Sequence, residues 1–259
     1  MKNRICWRAA LAACAIVAWA IAGCGEDPEP TGDDYTQTVM REIFEGIRVA
    51  LPASIDRDVF SAPNNQGEIF SALDNLARNA ALLETHAQGC NAEMGFLARS
   101  VERDAIEAKT SYRHGHYKRA AFVLRQIVES CVICHTRLPD DCGSMVAEEF
   151  VDEGVMASLP PQPRSTLLIA TRQFDKALDA LEEVLTDPLT HPAIMLGPLT
   201  DYMVVAIRVL GDYERPVPVF KAFAQRRDLW PSLREDVNEW IAALPSLQER
   251  AAGASTVTS

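Results

Sequence analysis

The chain has 259 residues, of which 48% are hydrophobic, and its formal net charge at neutral pH is −11. This length and composition allow one large or two modest domains with packed cores, and no internal segment approaches the length of a membrane span. The acidic balance argues against nucleic acid or an anionic lipid surface as a partner, because both would repel the chain.

The first 23 residues have the layout of a secretory signal, in which basic residues precede an apolar run. Lys2, Arg4 and Arg8 precede the run, which ends in Ile21-Ala22-Gly23-Cys24. This ending resembles the processing box of bacterial lipoproteins, and the resemblance implies cleavage before Cys24 and acylation of its thiol. The alternative is an ordinary signal peptide that ends near a cysteine. Cleavage would remove three basic residues and no acidic ones, which would make the chain more acidic still.

The residues after Cys24 indicate where the chain is expected to reside. Gly25, rather than an aspartate, follows Cys24, which resembles the sorting pattern of outer-membrane lipoproteins. We therefore expect a lipid-anchored protein of the bacterial cell envelope that faces the periplasm. Residues 24–34 are polar and rich in proline, glycine and acidic residues, so we expect a flexible tether between the lipid and the first domain.

Apolar residues recur at helical spacing in four segments of the next hundred residues. The predicted helices span residues 35–51, about 66–86, 94–112 and 117–136. Pro52 is expected to end the first helix, and Pro139 follows the fourth, because proline does not continue a helix. Four helices of similar length with mostly short connections bury their apolar faces most simply as an antiparallel four-helix bundle. The sequence therefore predicts an all-α fold over residues 35–142.

The fourth predicted helix carries Cys131-Val132-Ile133-Cys134-His135. Two thiols separated by two residues, with a histidine directly after the second, form the attachment sequence of a c-type haem. On a helix Cys131 and Cys134 share a face, where each thiol can form a thioether with a haem vinyl group. We predict one covalent haem c, with His135 as the proximal ligand of the iron.

Two other interpretations of the cysteine pair are half of a zinc site and a thioredoxin-like redox pair. A zinc site needs two further ligands at compatible spacing, and the sequence contains no second CxxC and no HxxxH. A redox pair is expected at the start of a helix that follows a strand, whereas this pair lies late in a helical segment. The pattern therefore favours haem.

A four-helix chain with CxxCH near the end of its last helix resembles cytochrome c′, the class II c-type cytochromes. The resemblance covers about residues 33–140 and includes Tyr35-Thr36-Gln37-Thr38-Val39-Met40, which is similar to the family's Tyr-x-Gln-x-x-Leu/Met segment. It implies that Met40 faces the distal side of the haem, either as the sixth ligand of the iron or as packing. The family often has a basic residue four positions after the histidine. Pro139 occupies that position here, and Arg137 is the nearest substitute for contact with the haem propionates.

The chain has seven cysteines, of which two remain after the signal, the lipid site and the haem motif are assigned. These two are Cys90, just after the second predicted helix, and Cys142, just after the fourth. The two helix ends lie at the same pole of an up-down-up-down bundle, and export permits disulfides. We predict a Cys90–Cys142 disulfide, with two separate thiols as the alternative.

Residues 145–250 are predicted to form an appended helical domain. A linking helix over residues 145–156 leads to two helical hairpins, in which Phe174 and Tyr213 occupy matching places 39 residues apart. The hairpins resemble tetratricopeptide repeats, whose period is nearer 34 residues, and an ordinary helical extension is the alternative. Two repeats are fewer than the three usually needed for stability, so we expect the hairpins to pack on the haem bundle.

The end of the chain is predicted as one helix and a disordered tail. The helix spans residues 233–244, with Trp240 and Ile241 on its buried side, and Pro245 is expected to end it. Residues 251–259 lack a core-forming pattern, so we expect them to be disordered.

These features predict a membrane-anchored, periplasm-facing c-type cytochrome that carries single electrons to a redox partner that the sequence does not identify. We expect a haem-binding carrier rather than an enzyme, because the sequence contains no Ser/His/Asp set, phosphate-binding glycine loop or carboxylate pair. An open sixth position on the iron would instead suit a gas-binding haem protein that takes up NO or CO. A third hypothesis is a protein-interaction module in which the haem mainly stabilises the bundle. The sequence leaves open whether two copies of the chain form a homodimer.

Overall fold

The computed structural model describes residues 32–87, 92–137 and 153–255, and every regular element in these ranges is helical. This result confirms the predicted all-α fold class. The described residues from Gln37 onward belong to one compact unit, whereas residues 32–36 belong to a separate N-terminal unit.

Several predictions from the sequence fall outside the described residues. They concern the secretory signal, residues 24–31 of the tether, the lipid site at Cys24 and the disulfide between Cys90 and Cys142. The first part of the linking helix predicted over 145–156 also falls outside, and its described remainder begins at Glu153. These predictions are unchanged by the structure. Residues 32–34, predicted as the end of the tether, are instead helical, because the first helix begins at Gly32.

The N-terminal half of the chain contributes five helices to the described residues. They are α1 (Gly32–Ile55), α2 (Arg57–Ser61), α3 (Gln66–Ala87), α4 (Ala92–Arg113) and α5 (Tyr117–His135). Helices α3 to α5 begin and end within about two residues of the predicted bounds, because their amphipathic periodicity is long and regular. The short helix α2 lies between the first two predicted helices, where no helix was predicted. Its N-cap, Asp56, accepts hydrogen bonds from the backbone N–H groups of Asp58 (2.8 Å) and Val59 (3.3 Å), and Phe60 anchors it in the core.

The prediction that Pro52 ends the first helix was wrong, since Pro52 lies inside α1. A proline removes one backbone hydrogen bond but does not prevent the chain from keeping helical dihedrals. Ala50 and Leu51, directly before it, are buried in the core, and this burial holds the helix in place across the proline. One turn later the Ser54 hydroxyl donates to the Leu51 carbonyl oxygen at 2.7 Å.

Gly46 allows α1 and α3 to approach closely. A Cβ atom at Gly46 would lie 2.7 Å from the backbone oxygen of Ala72 and 3.2 Å from the Cβ of Leu76. Near this contact the side-chain amide of Asn75 donates to the backbone oxygen of Glu42 at 3.0 Å. Helix α3 in turn packs against α4, and α4 packs against α5.

The turn between α4 and α5 places these two helices side by side. Gly115 has φ of +76°, a left-handed conformation that glycine adopts without steric cost. The N–H of His116 donates to the Ser111 carbonyl oxygen and the N–H of Gly115 to the Tyr112 carbonyl oxygen, which is the Schellman pattern of a helix end. The Tyr112 hydroxyl donates to the Phe60 carbonyl oxygen at 2.9 Å, and this bond joins α4 to α2.

The C-terminal half contributes six α-helices and one π-helical segment to the described residues. They are α6 (Glu153–Ser158), α7 (Pro161–Ala170), α8 (Phe174–Thr186), α9 (Pro192–Met203), the π segment (Val204–Val209), α10 (Pro216–Ala224) and α11 (Pro231–Ser255). Helix α7 packs against both α8 and α5, so the first C-terminal hairpin lies on the helix that carries CxxCH, as expected. Helix α8 also packs against α9 and α10, and α10 packs against α11.

Arg215 joins the start of α10 to the exposed face of α8. Its Nε donates to Glu182 Oε1 at 2.6 Å, and its Nη2 donates to Asp179 Oδ1 at 2.6 Å. The hydroxyl of the buried Tyr202, on α9, donates to the same Glu182 oxygen at 2.9 Å. One carboxylate on α8 thereby holds side chains from both flanking elements.

The prediction for the end of the chain was wrong in two respects. Pro245 lies inside α11, and the helix continues to Ser255, so residues 251–255 are helical. Leu244 is buried immediately before the proline, which fixes the helix there. The residues after it, Leu247-Gln248-Glu249-Arg250-Ala251-Ala252, all have high intrinsic helix propensity, and this favours continuation in solvent.

One stretch of the described residues has the length and apolar composition of a membrane-crossing helix. It spans Pro192–Val209, comprises α9 and the π segment, and has a mean hydropathy of 1.3 over 18 residues. The expectation that no internal segment approaches this length was therefore wrong. Met195, Leu199 and Tyr202 in this stretch are nearly fully buried in the core of the protein.

Candidate haem-attachment site

The two motif cysteines lie in the last turns of α5 and are both half-buried. Neither thiol is in a disulfide. Cys131 packs against the hydrophobic core, and the Sγ of Cys134 lies 3.3 Å from the Sδ of Met94 on α4. The spacing of three residues places both thiols on neighbouring positions of one helix face, as thioether formation to a single porphyrin requires.

His135, the last residue of α5, is held by a backbone group of α7. Its Nδ1 forms a hydrogen bond with the carbonyl oxygen of Ala170. A carbonyl oxygen can only accept, so the proton of this bond is on Nδ1 and the lone pair of the neutral ring is on Nε2. Burial lowers the pKa of His135, although the bond to Ala170 opposes this shift, and the neutral ring is favoured. A neutral imidazole with Nδ1–H fixed by a carbonyl is the usual state of a histidine that ligates a metal through Nε2.

Two arginines from the C-terminal half bind the carboxyl end of α5. Nη1 of Arg172 donates to the His135 carbonyl oxygen at 2.9 Å. Nη2 of Arg208 donates to the Thr136 hydroxyl at 2.9 Å and lies 3.4 Å from the Thr136 carbonyl oxygen. The last carbonyls of a helix have no partner within the helix and carry its partial negative charge, so cationic donors stabilise this end.

Arg172 occupies a strained backbone position in the turn between α7 and α8. Its φ is +59°, which costs a residue with a Cβ roughly 1 kcal/mol relative to glycine. The N–H of Gln173 donates to the Leu168 carbonyl oxygen and that of Arg172 to the Ile169 carbonyl oxygen, the same pattern that Gly115 completes after α4. The Arg172 guanidinium lies 5.5 Å from the centre of the Phe174 ring, which helps to fix its direction.

The thiols do not have the character of a redox pair. Burial raises the pKa of the Cys131 thiol to about 12 and also raises that of Cys134. A thioredoxin-like pair needs a lowered thiol pKa, because the thiolate is the nucleophile. The zinc interpretation also lacks ligands, since no three His, Cys, Asp or Glu side chains gather within residues 32–87, 92–137 and 153–255. The donor set that is present, two neighbouring thiols and a neutral histidine with an oriented ring, fits a covalent haem.

The structure gives the positions of two further predicted site residues but does not test their predicted contacts with a haem. Met40, on α1, is half-buried, and its role as the distal ligand of the iron stays a prediction. Arg137, the suggested contact for a haem propionate, is exposed and lies 3.3 Å from the carboxylate of Glu93.

Sequence reasoning missed four residues of this site. They are Met94, Ala170, Arg172 and Arg208. Ala170 acts through its backbone, so its side chain carries no signal. The one available signal was the turn at Arg172, which joins two helices without a glycine.

A carboxylate pair spans the interface between α5 and α9. Glu129 of α5 and Asp201 of α9 interact electrostatically, and burial raises the pKa of both, that of Asp201 to about 6. Repulsion from Glu129 adds to the shift at Asp201. This pair was not recognised in the sequence, because its members are separated by 72 positions.

An open cavity of about 440 Å³ lies at the other end of α5 and does not belong to this site. Arg57, His116, Lys118 and Arg119 are among its lining residues. Twelve residues of helix separate Arg119 from Cys131, which corresponds to about 18 Å. The cavity therefore lies away from the CxxCH motif.

Comparisons with protein-family models, with curated proteins and with solved structures found no match for this chain. The interpretation of the site therefore depends on the motif and on the geometry around His135. Those two observations are independent, because the motif is a sequence pattern and the hydrogen bond to Ala170 joins two distant parts of the chain.

Proposed function

We propose that this protein is a c-type cytochrome that carries single electrons through one haem bonded to Cys131 and Cys134. The observation that carries the proposal is the hydrogen bond from His135 Nδ1 to the Ala170 carbonyl oxygen, which leaves Nε2 available to iron. This bond holds the ring in the tautomer that ligation through Nε2 requires. Two half-buried thiols beside it complete the donor set.

The residues of the chain have separate tasks in this proposal. The haem, when bound, supplies a one-electron centre whose potential depends on its axial ligands and its surroundings. Cys131 and Cys134 fix the porphyrin to α5, and His135 ligates the iron. The core around α5 limits access of water, which favours a small reorganisation of the surroundings when an electron is gained or lost.

The finer architecture belongs to the same proposal. Helices α1, α3, α4 and α5 would form an antiparallel four-helix bundle of the cytochrome c′ type, with Met40 on the distal side of the haem. Helices α7 to α10 would form two tetratricopeptide-like hairpins that receive a partner. Acylation at Cys24 would hold the protein at the outer membrane, facing the periplasm. The acidic surface suits a basic redox protein as the partner.

The test is to measure covalent haem directly. The full chain would be produced with a c-type haem maturation system, and its intact mass and pyridine haemochrome spectrum recorded. We expect the mass of one haem in addition to the polypeptide, and its loss in the double variant Cys131→Ala/Cys134→Ala. Ile133→Val is the matched control, since it changes an exposed residue between the two cysteines and should keep the haem. A wild-type chain without covalent haem contradicts the proposal.

A further inference from the structure

We propose that the C-terminal hairpins orient the proximal ligand of the haem. Three residues carry this role, the backbone of Ala170 and the side chains of Arg172 and Arg208, and we call them the His135 clamp. The inference rests on the proposed function, because it takes His135 as the ligand of the iron. It assigns to the appended domain a part of the haem site that neither the motif nor the bundle supplies.

The first step concerns the ring of His135. The motif fixes the position of its Cα on α5 but leaves the ring free to rotate about its side-chain bonds. The Ala170 carbonyl oxygen, on a different helix, fixes the ring plane and the tautomer. A hydrogen bond on Nδ1 also raises the basicity of the ligand, which stabilises the ferric state and lowers the reduction potential.

The second step concerns the strain at Arg172. The equivalent position in the α4–α5 turn is Gly115, which adopts the left-handed conformation without strain. At Arg172 the chain keeps a large side chain in that conformation, and this side chain donates to the His135 carbonyl oxygen. A strained backbone conformation persists where surrounding contacts stabilise it, and such residues concentrate at functional sites.

The third step concerns the π segment that carries Arg208. Its wide turns are closed by hydrogen bonds from the Leu210 N–H to the Val205 carbonyl oxygen and from the Asp212 N–H to the Ala206 carbonyl oxygen. π-helical turns are rare, change the direction of the following side chains and occur frequently at functional sites. Here the segment places the guanidinium of Arg208 on Thr136, the residue directly after His135. The strained turn and the π segment thus meet at one helix end.

The experiment compares reduction potentials of the haem-loaded full chain in variants that keep its charge. Thr136→Val removes the hydroxyl that accepts from Arg208, and Thr136→Ser retains it. Arg208→Lys keeps the positive charge but replaces the planar guanidinium, with its several N–H donors, by a single ammonium group. We expect Thr136→Val and Arg208→Lys to raise the potential, because a loosened bond to Ala170 makes His135 a weaker donor. Thr136→Ser should match the wild type, as should Arg227→Lys, which changes an exposed arginine elsewhere in the domain.

A second measurement keeps the inference testable if a variant does not fold. The ¹⁵N chemical shifts of His135 in the full chain carrying Cys131→Ala/Cys134→Ala report the tautomer without haem. We expect the proton on Nδ1, and a proton on Nε2 would overturn the clamp. Covalent haem with unchanged potentials in Thr136→Val and Arg208→Lys would overturn the clamp alone. A wild-type chain without covalent haem would overturn the proposed function and the clamp together.

Discussion

Which nitrogen of a neutral histidine can ligate iron depends on which one holds the proton, and in this chain a backbone carbonyl decides it. The Ala170 oxygen accepts from Nδ1 of His135, and burial favours the neutral ring. A backbone acceptor is insensitive to the side chain at its own position. Because Ala170 is itself buried, only a residue of similar size is expected to keep α7 in place against α5 and so preserve the bond.

The distal side of the haem can be examined by exchanging one methionine at a time. If Met40 ligates the iron, Met40→Ala should convert low-spin haem to high-spin and open it to CO. It should also lower the reduction potential, because a soft sulfur ligand that favours the ferrous state is lost. Met203→Ala is the matched control, since Met203 is also half-buried and has no predicted role in ligation.

Visible spectra of the reduced protein, with and without CO, measure this effect. A native protein that is already high-spin and binds CO freely would exclude ligation by Met40. The gas-binding hypothesis would then be preferred to electron transfer.

Asp201 makes the stability of the fold depend on pH. Its pKa of about 6 in the folded chain lies above the ordinary value of 3.8, so the folded state binds the proton more tightly than the unfolded state. The free energy of unfolding should therefore fall as the pH rises from about 4 to about 6. Asp201→Asn should stabilise the protein at pH 7 by roughly 1–3 kcal/mol and flatten this dependence.

Urea unfolding at pH 5 and pH 7.5, followed by circular dichroism, measures both effects of Asp201→Asn. Glu239→Gln, at an exposed position of α11, is the control for loss of one negative charge. If Asp201→Asn proved less stable than the wild type at pH 7, the unfavourable burial of the Asp201 carboxylate would be contradicted.

At the scale of the helices, the close approach of α1 and α3 depends on the absence of a side chain at Gly46. Gly46→Ala places a Cβ 2.7 Å from the Ala72 carbonyl oxygen, a backbone atom that cannot move without shifting α3. We expect a loss of about 1–3 kcal/mol of stability, the usual range for overpacking. Gly67→Ala is the matched control, because a Cβ there meets no atom within 4 Å. It should be neutral or stabilising by up to about 1 kcal/mol, since alanine favours a helix.

Chemical denaturation of the two glycine variants gives the comparison. Equal stability of Gly46→Ala and Gly67→Ala would show that α1 and α3 are not in contact at this point.

Helices α3, α4 and α5, the last of which carries the motif, could be predicted from periodicity alone, because they are long and amphipathic. The two proline rules failed at Pro52 and Pro245, where burial of the preceding leucine outweighs a local preference. Cys131, Cys134 and His135 are one contiguous motif and could be recognised in the sequence. Ala170 and Arg208 could not, because their contacts with α5 join residues 35 and 72 positions apart and follow only from the packing of the two halves.

For the whole molecule, we expect the N-terminal cysteine to decide where the protein resides. Each buried CH₂ of an acyl chain contributes about 0.8 kcal/mol to membrane binding, so a multiply acylated Cys24 should anchor the chain stably. Cys24→Ala should move the protein from the membrane fraction to the soluble fraction of the envelope, whereas Cys90→Ala should not. Fractionation followed by immunodetection measures the distribution. Cys24→Ala protein that still partitions with membranes would contradict the anchor.

The position of Ala170 in the chain has a consequence for the order of assembly. Ala170 follows His135 by 35 residues, so the motif crosses a membrane before its acceptor when the chain is exported from its N-terminus. During that interval the end of α5 would lack its contacts with Ala170, Arg172 and Arg208. If the proposed haem is attached during that interval, the C-terminal hairpins would dock on α5 after the cofactor is in place.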